Sequence, residues 1–300
     1  MRYVMGLDGS KAALYDADTG RLDLMPYGGE AGEWTFRALF SRNNIGFPDI
    51  ELCVAGVPGG RHGALRGFGA PVSFYDEAYL SVFAGSSGGA GVCSLGGSCV
   101  AGTDLFGTFV KIGGLGELTG DFGDDKTLVR KAVGLVYSQL FRGTPYTALT
   151  ANFFRWLDIT DPDEFIPLIT ELSDQAAERL LTLLFETAAE GDAAALGLLE
   201  EAGRISAGGI AGAVSRLSFP PGEPLEIIFA GQIFVNSLCD AAKRTAEAVL
   251  LQTYRSPVFR KLDVPPVAGA LVRALCEAGI PEQRGNVLRH FRSGVIAIPS

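Results

Sequence analysis

Twice along this chain, three short apolar runs follow one another across glycine-containing turns, and that recurrence limits the folds open to it. Tyr3–Leu7 and Ala12–Tyr15 are separated by Asp8-Gly9-Ser10-Lys11, and Asp-Gly between strand-like segments predicts a β-hairpin. Arg21–Tyr27 supplies a third strand and completes a meander. Gly91–Leu95, Cys99–Ala101 and Thr108–Ile112 repeat the pattern. Direct identity between the halves is slight, so the repeat rests on element order.

Between the two triplets, Glu33–Phe40 has helical character, Ile50–Val54 reads as a buried strand, and Pro71–Tyr75 is a strand leading into a helix over Glu77–Phe83. Three strands followed by alternating helices and strands fit the α/β class. The stretch Gly85–Gly91, Gly-Ser-Ser-Gly-Gly-Ala-Gly, is the most glycine-rich in the chain. The domain boundary is placed there, giving residues 1–88 and 89–300. From Leu128 the period becomes helical: Leu128–Phe141, Asp163–Ser173 behind Asp161-Pro162, Ala176–Ala189 and Ala193–Leu217 form a helical insert. Gly208-Gly209 and Gly212 leave a bare face on which another backbone could approach. A last strand is expected at Leu225–Phe229, followed by a helix over Ile233–Leu250 and a final helix over Val267–Ala278.

With 300 residues, 47% of them hydrophobic and 20% charged, the chain can bury the cores of two domains. A net charge of −9 argues against a surface that neutralises nucleic-acid phosphates or rests on anionic lipid. The expected partner is a small molecule or a protein. Met1–Ser10 lacks the pattern of a secretory signal and no apolar run is long enough to cross a bilayer, so the expected compartment is the cytoplasm. Five cysteines, mostly in apolar runs, read as reduced and buried thiols. His62 and His290 are the only histidines, which leaves little from which to build a zinc site or a catalytic triad.

A series of motifs carries a resemblance that spans nearly the whole chain. These are Gly6-Leu7-Asp8-Gly9-Ser10-Lys11, Val54-Ala55-Gly56-Val57, Tyr75-Asp76-Glu77-Ala78, Ser94-Leu95-Gly96-Gly97-Ser98, and the run from Gly113 to Gly123 that includes Gly114, Leu115 and Asp121. They are followed by Ala188-Ala189-Glu190-Gly191-Asp192, Ile228-Phe229-Ala230-Gly231 and Pro266-Val267-Ala268-Gly269-Ala270. In this order the chain resembles the N-acetylglucosamine kinases and BadF/BadG/BcrA/BcrD-type ATPases. That resemblance implies two ribonuclease H-like domains of the actin-like ATPase type with a cleft between them, and ATP with Mg2+ as cofactors. A homodimer is compatible with it.

The resemblance implies a role for each motif in a site that depends on positioning more than on covalent chemistry. Asp8 would organise the metal, with Gly9, Ser10 and Lys11 at the phosphates; the same residues also make an ordinary hairpin turn. Asp76 would take the proton of a sugar hydroxyl, and it is equally a helix N-cap. Gly114, Leu115 and Asp121 would contact the substrate, a sugar or polyol. Gly96, Gly97 and Ser98 would form the second phosphate loop, and Gly231 and Gly269 would flank the nucleotide.

The loops depart from the family pattern. Asp8-Gly9-Ser10-Lys11 is two glycines shorter than Asp-Gly-Gly-Gly-Thr-Lys, which should remove N–H donors from the phosphates. Leu95-Gly96-Gly97-Ser98 lacks the threonine of Gly-Thr-Gly-Ser. Gln232 replaces the second glycine of a pair, Leu115 the usual tryptophan or similar residue, and Gly28-Gly29-Glu30 lacks the asparagine of hexosamine binders. Three functions stay open on this reading: an ATP-dependent sugar kinase, a member that binds a small molecule or partner without phosphotransfer, and a redox activator ATPase suggested by Cys99-Val100-Ala101-Gly102-Thr103.

Overall fold

The computed structural model describes residues 2–27, 32–56, 65, 68–97, 99–116, 119–170, 172–220 and 222–293. The reading of Gly28-Gly29-Glu30 and the site residue Ser98 lie outside these residues.

Strands β1 (Tyr3–Leu7), β2 (Lys11–Asp16) and β3 (Leu22–Pro26) form the opening meander, closed at its tip by the Asp8 N–H bonding the Lys11 carbonyl at 3.0 Å. Helix α1 (Gly32–Asn43) then leads to β4 (Ile50–Gly56), which pairs parallel with β1, and β5 (Val72–Tyr75) adds parallel to β4. The first sheet thus runs β3-β2-β1-β4-β5. Helix α2 (Glu77–Gly85) follows.

The second sheet repeats the order. Strands β6 (Gly91–Leu95), β7 (Cys99–Thr103) and β8 (Phe109–Gly113) are antiparallel neighbours, and β9 (Glu226–Ala230) and β10 (Val258–Lys261) add in parallel on the other side of β6. Two mixed five-stranded sheets of the same topology establish the expected α/β duplication.

Between β8 and β9 runs a helical layer: α3 (Asp125–Phe141), α4 (Ala148–Leu157), α5 (Phe165–Thr170), α6 (Asp174–Ala189) and α7 (Ala193–Val214). Asp124, Ser173 and Asp192 each accept hydrogen bonds from first-turn amides, which fixes where α3, α6 and α7 begin. Short α8 (Gln232–Val235) and α9 (Ala241–Leu251) separate β9 from β10, and α10 (Pro266–Glu277) and α11 (Arg284–Ser293) close the described chain.

Several elements differ from the sequence reading. The helix expected over Ile233–Leu250 is broken because the Asn236 side chain accepts from the Leu238 and Cys239 amides and donates to the Gln232 carbonyl, replacing helical bonds with a turn. The strand at Leu225–Phe229 is not the last: β10, four residues ending in Arg260-Lys261, adds at the sheet edge. Helices α4 and α11 have no counterpart in the sequence reading. The close backbone approach expected at Gly208-Gly209 and Gly212 falls instead at Gly203, where a Cβ would overlap the Ala242 carbonyl of α9.

Two helices tie the sheets together. Helix α2 leaves the first sheet and packs on β6, β7 and β9 of the second, while α10 leaves the second and packs on β1, β2 and β4 of the first. They cross each other at Gly269, where a Cβ would overlap the Leu80 carbonyl. One core therefore contains Val4, Ala13 and Val54 from the first sheet, Cys93, Ala101 and Ile228 from the second, and both helices. The outer faces have separate cores, under α1 and under the helical layer. The connection between the sheets is held on both sides: Glu226 accepts from the Ser87 N–H and hydroxyl, and Arg284 donates to the carbonyls of Phe83, Ser86 and Ser87. No described helix is long and apolar enough to cross a membrane.

Candidate functional site

Strand register brings the candidate residues to one end of each sheet. Asp8 follows the C-terminal end of β1 and Asp76 that of β5; Gly96 and Gly97 follow β6, and Gly231 follows β9. Because β8 ends with Gly113 opposite Cys99, the loop carrying Gly114, Leu115 and Asp121 opens at that same end of the second sheet. In mixed α/β sheets the space beyond the carboxyl ends of parallel strands is where ligands sit.

The two sheets meet there through charge. The Lys111 ammonium, from β8, lies 2.5 Å from Asp76 Oδ2, while Asp76 Oδ1 caps α2 by accepting from the Ala78 N–H at 3.0 Å. Asp76 thus keeps the N-cap role on one oxygen, while the role of proton acceptor competes with an ion pair across the sheets on the other. Burial pulls the Lys111 ammonium down, but its bond to Asp76 and the nearby Cys99 and Asp121 outweigh that and hold it above the usual lysine range. Asp121 is drawn back into its own loop, its Oδ2 accepting from the Leu115 and Gly116 amides at 2.6 and 2.8 Å. Leu115 contributes that amide, and its side chain is 74% exposed. Gly114 has φ +77°, and a Cβ there would stand 3.2 Å from both Cys99 Sγ and Lys111 Cε, so only glycine fits between them.

Asp8 is buried and fully engaged. Its Oδ1 accepts from the Ser10 N–H at 2.7 Å, the Ser10 hydroxyl at 3.0 Å and the Lys11 N–H at 2.6 Å, and its Oδ2 accepts from the Val267 N–H, in the first turn of α10, at 3.0 Å. The remaining tip amide, Gly9 N–H, donates to Glu77 Oε1 at 3.3 Å. Glu77, unremarked in the sequence, is half-buried; burial first, then Asp8 and Asp76, push its carboxyl above the usual range against the bond from Gly9.

In the second loop the Gly96 N–H bonds the Ala230 carbonyl at 2.8 Å. Gly96, Gly97, Gly123 and Gly231 all have positive φ and pack backbone on backbone, a Cβ at Gly231 falling 2.8 Å from the Gly96 nitrogen. Gly269 lies away from this cluster, in the α2–α10 crossing. The Cys99 thiol is buried and pushed up to about 11, chiefly by burial and then by Asp76 and Asp121 against the opposing pull of Lys111.

At the β1–β2 tip, these donors and acceptors do not fit nucleotide phosphates or their metal. A phosphate loop must present unoccupied N–H groups. Here the Gly9, Ser10 and Lys11 amides all end on carboxylates of the same chain, and the Asp8 oxygens already hold four donors. No group of three metal-ligating side chains occurs among the described residues.

Glu77 and Lys111 are the site residues the sequence reading missed. Glu77 had a signal, its place directly after Asp76. Lys111 had only its position as the one charge in Phe109-Val110-Lys111-Ile112, and nothing local said that it would cross to Asp76.

No family model and no curated protein matches the chain. Solved structures do. A protein assigned as an N-acetylglucosamine kinase from Chromobacterium violaceum matches with a TM-score of 0.66 and 18% identity over 91% of this chain and 98% of that one. A ROK-family glucokinase from Streptomyces griseus, in complex with glucose and AMPPNP, matches at 0.50 with 18% identity over 91% and 98%. A ROK-family transcriptional regulator, homologous to the E. coli MLC protein, matches at 0.56 with 14% identity over 96% and 81%. The fold is that of the sugar kinases and actin-like ATPases.

Proposed function

We propose that this chain uses the sugar-kinase fold to bind a sugar or polyol and no longer transfers phosphate. The observation that carries the reading is the state of the β1–β2 tip: its three consecutive amides, which the family's loop would offer to phosphate oxygens, point at the carboxylates of Asp8 and Glu77. A phosphate entering there would have to displace two anionic groups and meet their repulsion. In the second sheet, Lys111, Asp121 and the glycine-rich loop after β8 form a polar group suited to hydroxyl recognition, in which hydrogen bonds from positioned charged groups supply most of the specificity. That one structural neighbour is a glucokinase and another a transcriptional regulator supports a fold able to serve either with or without catalysis.

A second reading, phosphoryl transfer to a hexose or hexosamine hydroxyl, is favoured by Glu77, a half-buried carboxyl of raised proton affinity, the property expected of a general base. The redox-activator reading has less support, because Cys99 is buried and no group of three metal-ligating side chains occurs among the described residues. Calorimetry separates the first two. The binding reading expects no heat from Mg-ATP at millimolar concentration and saturable heat from at least one member of a panel of neutral hexoses, hexosamines and polyols. Micromolar Mg-ATP affinity together with sugar-dependent ADP release would overturn it in favour of the kinase.

A further inference from the structure

We infer that Glu77, and not Asp76, is the carboxyl of α2 that meets the bound sugar, with Asp121 supplying a second acceptor from the second sheet; this rests on the sugar-binding reading above. The four carboxylates of the site differ in how their oxygens are engaged. Both Asp8 oxygens carry donors, three on Oδ1 and the Val267 amide on Oδ2. Both Asp76 oxygens carry one as well, Ala78 on one and Lys111 on the other. Glu77 differs: Oε1 takes the Gly9 amide, and no described residue donates to Oε2. Asp121 likewise uses Oδ2 for two loop amides and leaves Oδ1 without a described donor.

A ligand hydroxyl bonds most readily where it need not first break a charged pair. Displacing Lys111 from Asp76 would cost a charge-assisted bond of 2.5 Å and leave an ammonium to be resolvated. The Gly9–Glu77 bond is long, at 3.3 Å, and uses the other oxygen, so a ligand can engage Glu77 without losing it. Lys111 connects Glu77 and Asp121, since it bonds Asp76, the chain neighbour of Glu77, and Asp121 acts on its ammonium. Two carboxyls that each keep an oxygen without a described donor, with a held ammonium near them, suit a ligand with several hydroxyls and no anionic group.

The test is binding calorimetry of glucose, mannose, glucosamine, N-acetylglucosamine and sorbitol to the whole chain and to four variants. For whichever sugar binds, Glu77→Gln, which keeps an acceptor for Gly9, is expected to raise Kd at least fivefold and Glu77→Ala at least tenfold. Asp76→Asn is expected to change Kd less than threefold. Lys111→Met, which frees Asp76, supplies an independent check: binding no tighter than the parent's fits Glu77 as the contact, whereas tighter binding would show that Asp76 is the group the sugar seeks. Loss of affinity in Asp76→Asn with retention in Glu77→Gln overturns the inference and leaves the sugar site standing. Failure of every panel member to bind the unaltered protein removes the sugar site and the inference with it.

Discussion

Asp8 shows how one side chain can answer to two readings. As a turn former it collects the Ser10 and Lys11 amides, and as a link between segments 259 residues apart it satisfies the Val267 N–H at the start of α10. Asp8→Ala strands that buried amide, so a loss of about 2–3 kcal/mol in urea denaturation is expected. Glu77 behaves in the opposite sense. Its folded-state proton affinity is raised, so the native state is favoured while the group is protonated in both states, and that advantage is lost as pH climbs from the unfolded value through the folded one. Glu77→Gln removes the titration. Its melting temperature should therefore match the parent's below about pH 4, where model glutamates are protonated, and exceed it at pH 7. Equal shifts at both values would show that burial and the neighbouring aspartates do not act on this carboxyl.

At the scale of elements, glycine positions divide into those with neighbours and those without. Helix α10 is buried nearly all round, Val267, Leu271 and Leu275 having no exposure, because one side lies on the first sheet and the other on α2. Gly269→Ala pushes a methyl into the Leu80 carbonyl and is expected to cost about 3 kcal/mol. Gly208, exposed in mid-α7 with nothing near its missing Cβ, should give a gain of about 0.5–1 kcal/mol on conversion to alanine. Chemical denaturation of the pair checks both signs. These elements also show what was legible beforehand. The meanders could be read because Asp8-Gly9 and the glycines after Leu95 are local turn chemistry, and the sheets bury short runs flanked by them. The break at Asn236 could not, since Ile233–Leu250 keeps helical spacing and only the side-chain bonds to Leu238 and Cys239 defeat it. Motif order placed Asp8, Asp76 and Asp121 at one end of the sheets. The pairing of Lys111 with Asp76 depends on register across two sheets, which no local pattern encodes.

For the molecule as a whole, the exchange of α2 and α10 decides how the halves unfold. The strands separate cleanly near residue 88, yet the inner face of the first sheet is covered by a helix that arrives from residue 266 onward, and the second sheet is covered by one that precedes residue 86. Each half therefore exposes its inner face if the other melts. Several fully buried side chains, among them Val4, Leu80, Ile228 and Leu271, share that central core, and each aliphatic residue there loses roughly 1.5–3 kcal/mol on exposure. With so much of the total stability held in common, independent melting of the two sheets is unfavourable. Calorimetry of the full chain is expected to give one transition with matching calorimetric and van't Hoff enthalpies. A fragment of residues 1–88 is expected to remain unfolded by circular dichroism, because α10 is missing from it. Two resolved transitions, or a cooperatively folded fragment, would show that the sheets are stable apart and that the helices merely dock on them.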